Sequence, residues 1–302
     1  MLKAVNGQIY LDNDTMDYIR FGSGSKVMVL IPGVGDGLKT VRGMALPFAF
    51  LYRILAKDFT VYMFSRRNRL APGTGTREMA EDLDRAMEML GIRTASVMGI
   101  SQGGMIAQWL AVDHPDKVER LVLAVTLGRP NPKVRRVIGR WMTMAEKGEY
   151  KKIMLDTARR SYTPSRLKKI RGMYSLLGNV GKPKSFGRFL VQAQSCLTHD
   201  AWDDLDRITC PTLVIGGTED GIVTGQASVE LAEKIPGSVL HMYDGLSHGL
   251  YEEAKDFLPL VMAFCSGKVP GKPQRCGKTN KKRRPAFAGR KIRVRSKNEK
   301  RR

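Results

Sequence analysis

Cysteine is scarce in this chain of 302 residues. The four cysteines, at positions 196, 210, 265 and 276, have neither the CxxC spacing nor the histidine partners of a zinc site. They are also too few and too far apart for the disulfide framework of a small secreted domain. The sequence therefore predicts reduced thiols and no metal.

Long apolar runs are missing as well. The N-terminal stretch "MLKAVNGQIYLDNDTMDY" has no apolar core after a basic start, and no later stretch is long enough to cross a bilayer. We therefore expect a soluble, cytoplasmic protein without a transmembrane segment. The 42% content of hydrophobic residues is still enough to fill a large core.

Acidic residues are outnumbered, 29 against 51 lysines and arginines, but the excess charge of +22 is unevenly spread. The net charge is +2 over residues 1–128, +13 over 129–200, −8 over 201–266 and +15 over 267–302. The last segment has too few large apolar residues for a core of its own. We predict that it is a disordered basic tail, which contacts polyanions without specificity.

Strand-like and helix-like segments alternate through residues 1–128 and again through 201–266. "KVMVLIPG", "FTVYMFS", "TASVMGIS" and "RLVLAVT" have the composition of buried strands. "TREMAEDLDRAMEMLGI" has one apolar helical face, with Thr76 as its predicted N-cap and Gly91 at its end. Such alternation predicts a mostly parallel sheet with helices on both faces.

The alternation stops in residues 129–200, where the composition is helical and "GRPNP" and "YTPS" mark breaks. This segment predicts a helical insertion. We interpret its basic residues as a solvated face, with attraction of an anionic substrate as the alternative. Trp141, Tyr150 and Met154 indicate an apolar inner surface, which packing within the insertion would explain equally well.

One serine stands between glycines where a predicted strand gives way to a helix: Gly99-Ile100-Ser101-Gln102-Gly103. This G-x-S-x-G pattern is the nucleophile elbow, in which a sharp turn raises the serine hydroxyl above the sheet. The turn leaves no room for side chains two positions before and after the serine. The pattern is weak alone, but its strand and helix context predicts that Ser101 is a nucleophile.

A serine nucleophile needs a base, and the chain has four histidines. His114, His199 and His241 fall in ordinary structural positions. His248, in "YDGLSHGL", follows the last predicted strand at the carboxyl edge of the sheet. We predict that it is the general base, with a plain helix-capping role as the alternative.

The base in turn needs a carboxylate. Asp220, in "VIGGTEDGIVT", lies just past a predicted strand on the same edge and is the preferred candidate. Its neighbour Glu219, the more distant Asp244 and a carboxylate that only caps a turn remain alternatives.

The negative charge that develops on an attacked carbonyl needs fixed donors. The backbone N–H of Gln102, directly after the serine, is one predicted donor, and that of Val34 in "LIPGVGDG" is the other. The alternatives for this glycine-rich loop are a flexible turn or a phosphate site. It lacks the Lys-Ser/Thr ending of a P-loop and the order of a dinucleotide fingerprint.

These motifs, with "GISQGG", "HPDKVERLVLAVT", "CPTLVIGGTEDGIV" and "YDGLSHGLYEE" in order, resemble the α/β-hydrolase superfamily over about residues 8–266. The resemblance implies an α/β-hydrolase core (1–128 and 201–266) with a helical cap insertion (129–200). It also implies a Ser101, Asp220 and His248 triad, with oxyanion donors at Val34 and Gln102.

Two departures from the family pattern are visible. Pro32-Gly33 replaces the usual His-Gly, and Thr224 stands where a proline often follows the acid. Neither touches a reacting group, so both bear on rate and substrate more than on mechanism.

The resemblance implies a cofactor-free serine hydrolase that acts on a small-molecule ester, lactone or related acyl compound through an acyl-enzyme. Two other functions remain open: carbon–carbon bond hydrolysis by the same three residues, and a ligand-sensing protein of this fold with little turnover. The sequence leaves the oligomeric state open.

Overall fold

The centre of the computed structural model, which describes residues 3–176 and 181–268, is a sheet of eight strands in the order β1-β2-β4-β3-β5-β6-β7-β8. The strands are β1 Val5–Leu11, β2 Asp14–Phe21, β3 Lys26–Ile31, β4 Phe59–Arg67, β5 Ala95–Ile100, β6 Val118–Ala124, β7 Thr212–Gly217 and β8 Val239–Tyr243. The contacts of β2 with β1 and β4 are antiparallel, and all the others are parallel. The predicted mostly parallel sheet is thus confirmed.

Helices cover both faces of this sheet. Their bounds outside the β6–β7 connection are α1 Ala45–Leu51, α2 Thr76–Met89, α3 Gln102–Asp113, α8 Gly225–Lys234, α9 Leu250–Glu253 and α10 Phe257–Cys265. The helices α2, α3 and α8 bury apolar side chains against one face, and α1 and α10 against the other. Side chains alternate between the two faces along a strand, so neighbouring residues belong to different apolar clusters. Val97 of β5 packs in the cluster on one face of the sheet, and Met98 packs in the cluster on the other.

Four further helices lie between β6 and β7: α4 Pro132–Glu146, α5 Tyr150–Ser161, α6 Pro164–Leu176 and α7 Gly187–Thr198. We call α4–α7 the inserted helices. Three of them, α4, α5 and α7, share a third apolar cluster, which includes Trp141 and Phe189, with Met105 of α3 and with Ile222 and Val223 from the loop after β7. This cluster fixes the inserted helices over the carboxyl edge of the parallel strands.

One predicted helix boundary was wrong. Gly75, not Thr76, is the N-cap of α2, because Glu78 accepts a hydrogen bond from the Gly75 N–H (3.0 Å) while the Thr76 hydroxyl bonds to His199 Nδ1 (2.8 Å). After His248 the chain forms two separate helices, α9 and α10. Apart from its first two residues, the predicted tail (267–302) lies outside the described residues. Within residues 3–176 and 181–268, no helix is long and apolar enough to cross a membrane.

The close approach of α3 to β3 gives a stability prediction. A side chain at Gly103 would overlap the backbone carbonyl of Ile31, which cannot move without disturbing the strand. We expect Gly103→Ala to lower the free energy of unfolding by about 1–3 kcal/mol. Gly139, inside α4, has open space around it, so Gly139→Ala should raise that free energy by about 0.5–1 kcal/mol. Denaturant titration of both variants measures the difference, and an equal effect of the two would contradict the steric explanation.

Candidate active site

Ser101 occupies the tight turn between β5 and α3. Its backbone is left-handed, with φ of 55° and ψ of −120°, a strained conformation for a residue with a side chain. Neighbouring strand ends hold it there, since its N–H donates to Ala124 O (2.9 Å) and its carbonyl accepts from Thr126 Oγ1 (2.7 Å). Among the described residues the Ser101 hydroxyl has no hydrogen-bond partner, and it lines a cavity.

His248 lines the same cavity and is paired with Asp220. Its Nδ1 lies 2.8 Å from Asp220 Oδ2, and both side chains are buried. Since an ionised carboxylate can only accept, Nδ1 carries the proton and the lone pair of the imidazole is on Nε2. No described residue hydrogen-bonds to Nε2, so this atom is free to take a proton.

The loop after β7 keeps Asp220 ionised. Its Oδ1 accepts from the backbone N–H groups of Ile222 (2.8 Å) and Val223 (2.9 Å). Burial opposes ionisation, but the charge and hydrogen bond of His248 and these two N–H groups outweigh it and hold the pKa of Asp220 below its usual value.

The alternative acids lie elsewhere. Glu219 is exposed, and Asp244 is a surface residue that accepts from Thr218 Oγ1 (3.2 Å). The loop also gives a reason for the missing proline, because Thr224 has a φ of 77° and proline is confined to about −65°.

The other three histidines serve the fold. His199 is buried between Thr76 and Gln108, and burial lowers its pKa to about 3, so it stays neutral. His114 Nε2 lies 2.9 Å from Glu81 on the surface, and His241 packs edge-on against the ring of Tyr243. None of these three lines the cavity of Ser101.

The two predicted oxyanion donors flank Ser101. Val34 begins a short 3-10 helix (Val34–Gly37) directly after β3, and Gln102 begins α3. Among the described residues, neither backbone N–H donates a hydrogen bond. A side chain at Gly33 would lie 3.3 Å from Ser101 Cβ, so the loop after β3 runs directly beside the serine.

A buried arginine that sequence reasoning missed joins these two segments. Arg66, at the end of β4, donates through Nη2 to the carbonyl of Pro32 and to Gln102 Oε1 (3.1 Å). Arg66 thus fixes Pro32-Gly33, the segment that replaces the usual His-Gly of the family. The motif "FSRRNR" gave no signal for this role, since its two arginines look alike and Arg67 points to the surface acids Asp12 and Asp82.

Arg66 belongs to a buried charged network. Asp36, in the loop after β3, lies 3.9 Å from Arg66 and also pairs with Arg188 of α7. Despite burial, Arg188 and Arg66 hold the pKa of Asp36 below its usual value, while burial lowers the pKa of Arg66 to about 10. Two guanidinium groups against one carboxylate leave excess positive charge behind the predicted oxyanion donors, which is the sign that favours an anion there.

The cavity in front of Ser101 has a volume of about 410 Å³ and mostly apolar walls. Its floor is the carboxyl edge of the sheet, its roof is the inserted helices, and α1 and α10 form one side. The roof includes Val134, Ile138, Trp141, Ile153, Met154 and Phe189. A small organic molecule fits a cavity of this size and character.

Comparison with known proteins identifies the class. Residues 26–255 match the family model described as alpha/beta hydrolase fold, so the chain belongs to the α/β-hydrolase family. Family members named below are hydrolases, and the chain is an enzyme of the serine-hydrolase type.

Individual relatives differ in their reactions. The chain is 30% identical over 220 residues to 2-hydroxymuconate semialdehyde hydrolase of Pseudomonas putida, covering 70% of this chain and 76% of the relative. It is 27% identical over 211 residues to the pimeloyl-[acyl-carrier protein] methyl ester esterase of Neisseria meningitidis serogroup B, covering 65% and 80%. The crystal structure of the enol-lactonase from Burkholderia xenovorans LB400 has the same fold, with a TM-score of 0.74 at 20% identity over 86% of this chain and all of that one.

The position of Arg66 generates a kinetic prediction. Arg66→Gln removes the brace between Pro32 and Gln102, and we expect kcat on p-nitrophenyl acetate to fall about 10- to 100-fold with little change in KM, because a misplaced donor acts on the transition state. Arg67→Gln removes the ion pairs with Asp12 and Asp82 and a hydrogen bond to the Leu11 carbonyl, all away from Ser101, so it is the matched control and should keep kcat within about twofold. Thermal unfolding is recorded alongside, and an unchanged kcat in folded Arg66→Gln would refute the brace.

Proposed function

We propose that this protein is a cofactor-free serine hydrolase that cleaves an uncharged carboxylic ester or lactone. The observation that carries the proposal is the buried His248 and Asp220 pair, whose free Nε2 lines the same apolar cavity as the unpartnered hydroxyl of Ser101. A nucleophile, a base and a fixed carboxylate on one cavity are the parts that acyl transfer needs.

The proposed reaction has two halves. Ser101 Oγ attacks the carbonyl carbon while His248 Nε2 takes the hydroxyl proton, and the carbonyl oxygen becomes an oxyanion held by the N–H groups of Val34 and Gln102. When the carbon–oxygen bond breaks, the proton passes from His248 to the leaving alcohol. Water then attacks the acyl-serine by the same route, and its proton returns to Ser101 as the acid leaves. Asp220 keeps its charge throughout and orients the imidazole.

The cavity walls support an uncharged substrate. Among the described residues, Lys39 is the single lysine or arginine on the wall, and it is exposed to solvent. An anionic acyl group would therefore be buried against apolar side chains without a counter-ion, at a large cost in desolvation. We propose that the inserted helices act as a cap whose apolar side selects the acyl group, while most of their basic residues, though not Arg188, are exposed to solvent.

Carbon–carbon bond hydrolysis is the second candidate. It is favoured by the 30% identity to 2-hydroxymuconate semialdehyde hydrolase, whose named substrate is cleaved at a carbon–carbon bond. Turnover of 2-hydroxymuconate semialdehyde with kcat/KM above that of every ester would support this candidate over the first.

The triad assignment is tested by paired variants. Ser101→Ala should abolish labelling by a fluorophosphonate, and Asp220→Asn should lower kcat on p-nitrophenyl butyrate by about 10⁴-fold, because the imidazole loses its fixed tautomer and the partner for its charge. Glu219→Gln, one residue away and exposed, is the control and should leave kcat unchanged. Labelling of folded Ser101→Ala, or an equal loss of kcat in Asp220→Asn and Glu219→Gln, would contradict the triad assignment.

The substrate class is tested with matched esters. We expect p-nitrophenyl butyrate to have a kcat/KM at least tenfold higher than the p-nitrophenyl monoester of succinic acid, which has a similar length and a terminal carboxylate. Equal values, or a preference for the charged ester that weakens steeply with added salt, would instead indicate electrostatic attraction by the basic surface.

A further inference from the structure

Among the described residues, exposed large apolar side chains are concentrated on α1. Six large hydrophobic residues among those described are at least half exposed, and three of them are in this seven-residue helix: Leu46 (71%), Phe50 (66%) and Leu51 (50%). Pro47, also exposed, completes the set. We call Leu46, Pro47, Phe50 and Leu51 the α1 face. Isolated apolar residues are common on surfaces, but a contiguous patch marks a binding surface.

Buried residues on the opposite side of α1 keep the α1 face exposed to solvent. Ala45 and Ala49 are buried against the sheet, as is Tyr52 just after the helix. These positions recur with helical spacing and hold the opposite side of α1 towards solvent. The fold therefore fixes the α1 face in its exposed position.

Basic side chains frame the α1 face. The stretch from Gly43 to Tyr52 has no charged residue, and it is bounded by Arg42 and Arg53, with Lys39 and Lys57 further out. All four are exposed, against one exposed acid, Asp58, in the same segment. Arg53 is tied to the face itself, since its guanidinium lies 4.7 Å from the ring centre of Phe50 and donates to the Phe50 carbonyl (3.0 Å).

The α1 face is continuous with the cavity of Ser101. Leu51 belongs to both, since it is half exposed and also lines the cavity beside Phe48 and Tyr52 of the same segment. An apolar chain that leaves a lipid layer at α1 would therefore reach the cavity along apolar side chains. Glu252, an exposed acid that also lines the cavity, accepts a hydrogen bond from the hydroxyl of Tyr162 (2.7 Å).

We propose that the α1 face docks on the surface of an anionic lipid bilayer, with Leu46 and Phe50 entering the boundary between headgroups and acyl chains and the basic frame contacting lipid phosphates. An apolar patch inside a ring of Lys and Arg matches this layered chemistry. A second copy of the chain fits less well, because two like-charged frames would face each other. The inference stands apart from the proposed function, since docking requires no turnover.

The first test measures binding of the full-length protein to phosphatidylglycerol vesicles by co-sedimentation. Leu46→Ser with Phe50→Ser should weaken binding at least tenfold, whereas Met89→Ser, at another exposed apolar residue (58%) at the end of α2, should have no effect. Arg42→Gln with Lys57→Gln should weaken it as well, compared with Arg93→Gln, at an exposed residue just before the amino end of the central strand β5. Circular dichroism confirms that each variant is folded.

The second test locates the contact, so that attraction by the basic C-terminal segment cannot imitate it. Tryptophan is introduced as Phe50→Trp or, for control, as Met89→Trp, with the wild-type signal subtracted. Vesicles that contain bromine-labelled lipids should quench at least half of the emission added at position 50 and leave that at position 89 unchanged. The proposal would be overturned by equal quenching at positions 50 and 89, or by unaltered vesicle binding of the double serine variant. It would also be overturned by an emission shift that depends on protein concentration without vesicles, which would indicate self-association.

Discussion

The structure depends on the contact between two backbones, where β5 turns into α3. Gly99 faces the carbonyl of Gly103, and Gly103 faces the carbonyl of Ile31, at distances that leave no room for a side chain. This contact lets α3 begin directly above the sheet and forces Ser101 into its left-handed conformation. Because the strain is concentrated at one residue, the surrounding strands must offset it, and the hydrogen bonds from Ser101 to Ala124 and from Thr126 to Ser101 do so.

A second constraint acts behind this turn. Arg66, Asp36 and Arg188 are charged groups away from water, which is costly unless each is paired. Their partners come from β4, from the loop after β3 and from α7, so the network joins the core to the inserted helices. Gln102 extends it, since its amide donates to the carbonyl of Gln192 (2.7 Å). The side chain of Gln102 is thereby held by Arg66 on one side and by the Gln192 carbonyl on the other. The position of the Gln102 N–H thus depends on the tertiary fold.

Sequence reasoning recovered what periodicity and local motifs encode. The parallel sheet followed from the alternating segments, and the pairing of His248 with Asp220 was anticipated because the carboxyl ends of parallel strands share one edge. It did not recover Arg66, since nothing local separates this fully buried arginine from its partly exposed neighbour Arg67. The N-cap of α2 was missed for a similar reason, because the hydroxyl of Thr76 is engaged by a histidine far along the chain. Both failures involve side chains whose partners are decided only when distant segments pack.

Several polar groups around Ser101 have no hydrogen-bond partner within the described part of the protein. Asp220 is engaged by His248 and two backbone N–H groups, and Gln102 by Arg66 and Gln192. In the charged network behind them, Asp36 Oδ1, Arg66 Nε and Nη1 and Gln192 Oε1 are buried without a partner. Nearer the cavity, the unpaired groups are Ser101 Oγ, His248 Nε2 and the N–H groups of Val34 and Gln102. Buried polar groups are rarely left unpaired, and the proposed mechanism uses these four as the attacking atom, the proton acceptor and the two donors. A carbonyl group matches all four, because it offers an electrophilic carbon to the hydroxyl and an oxygen to the two N–H groups, and this match favours the proposed acyl chemistry.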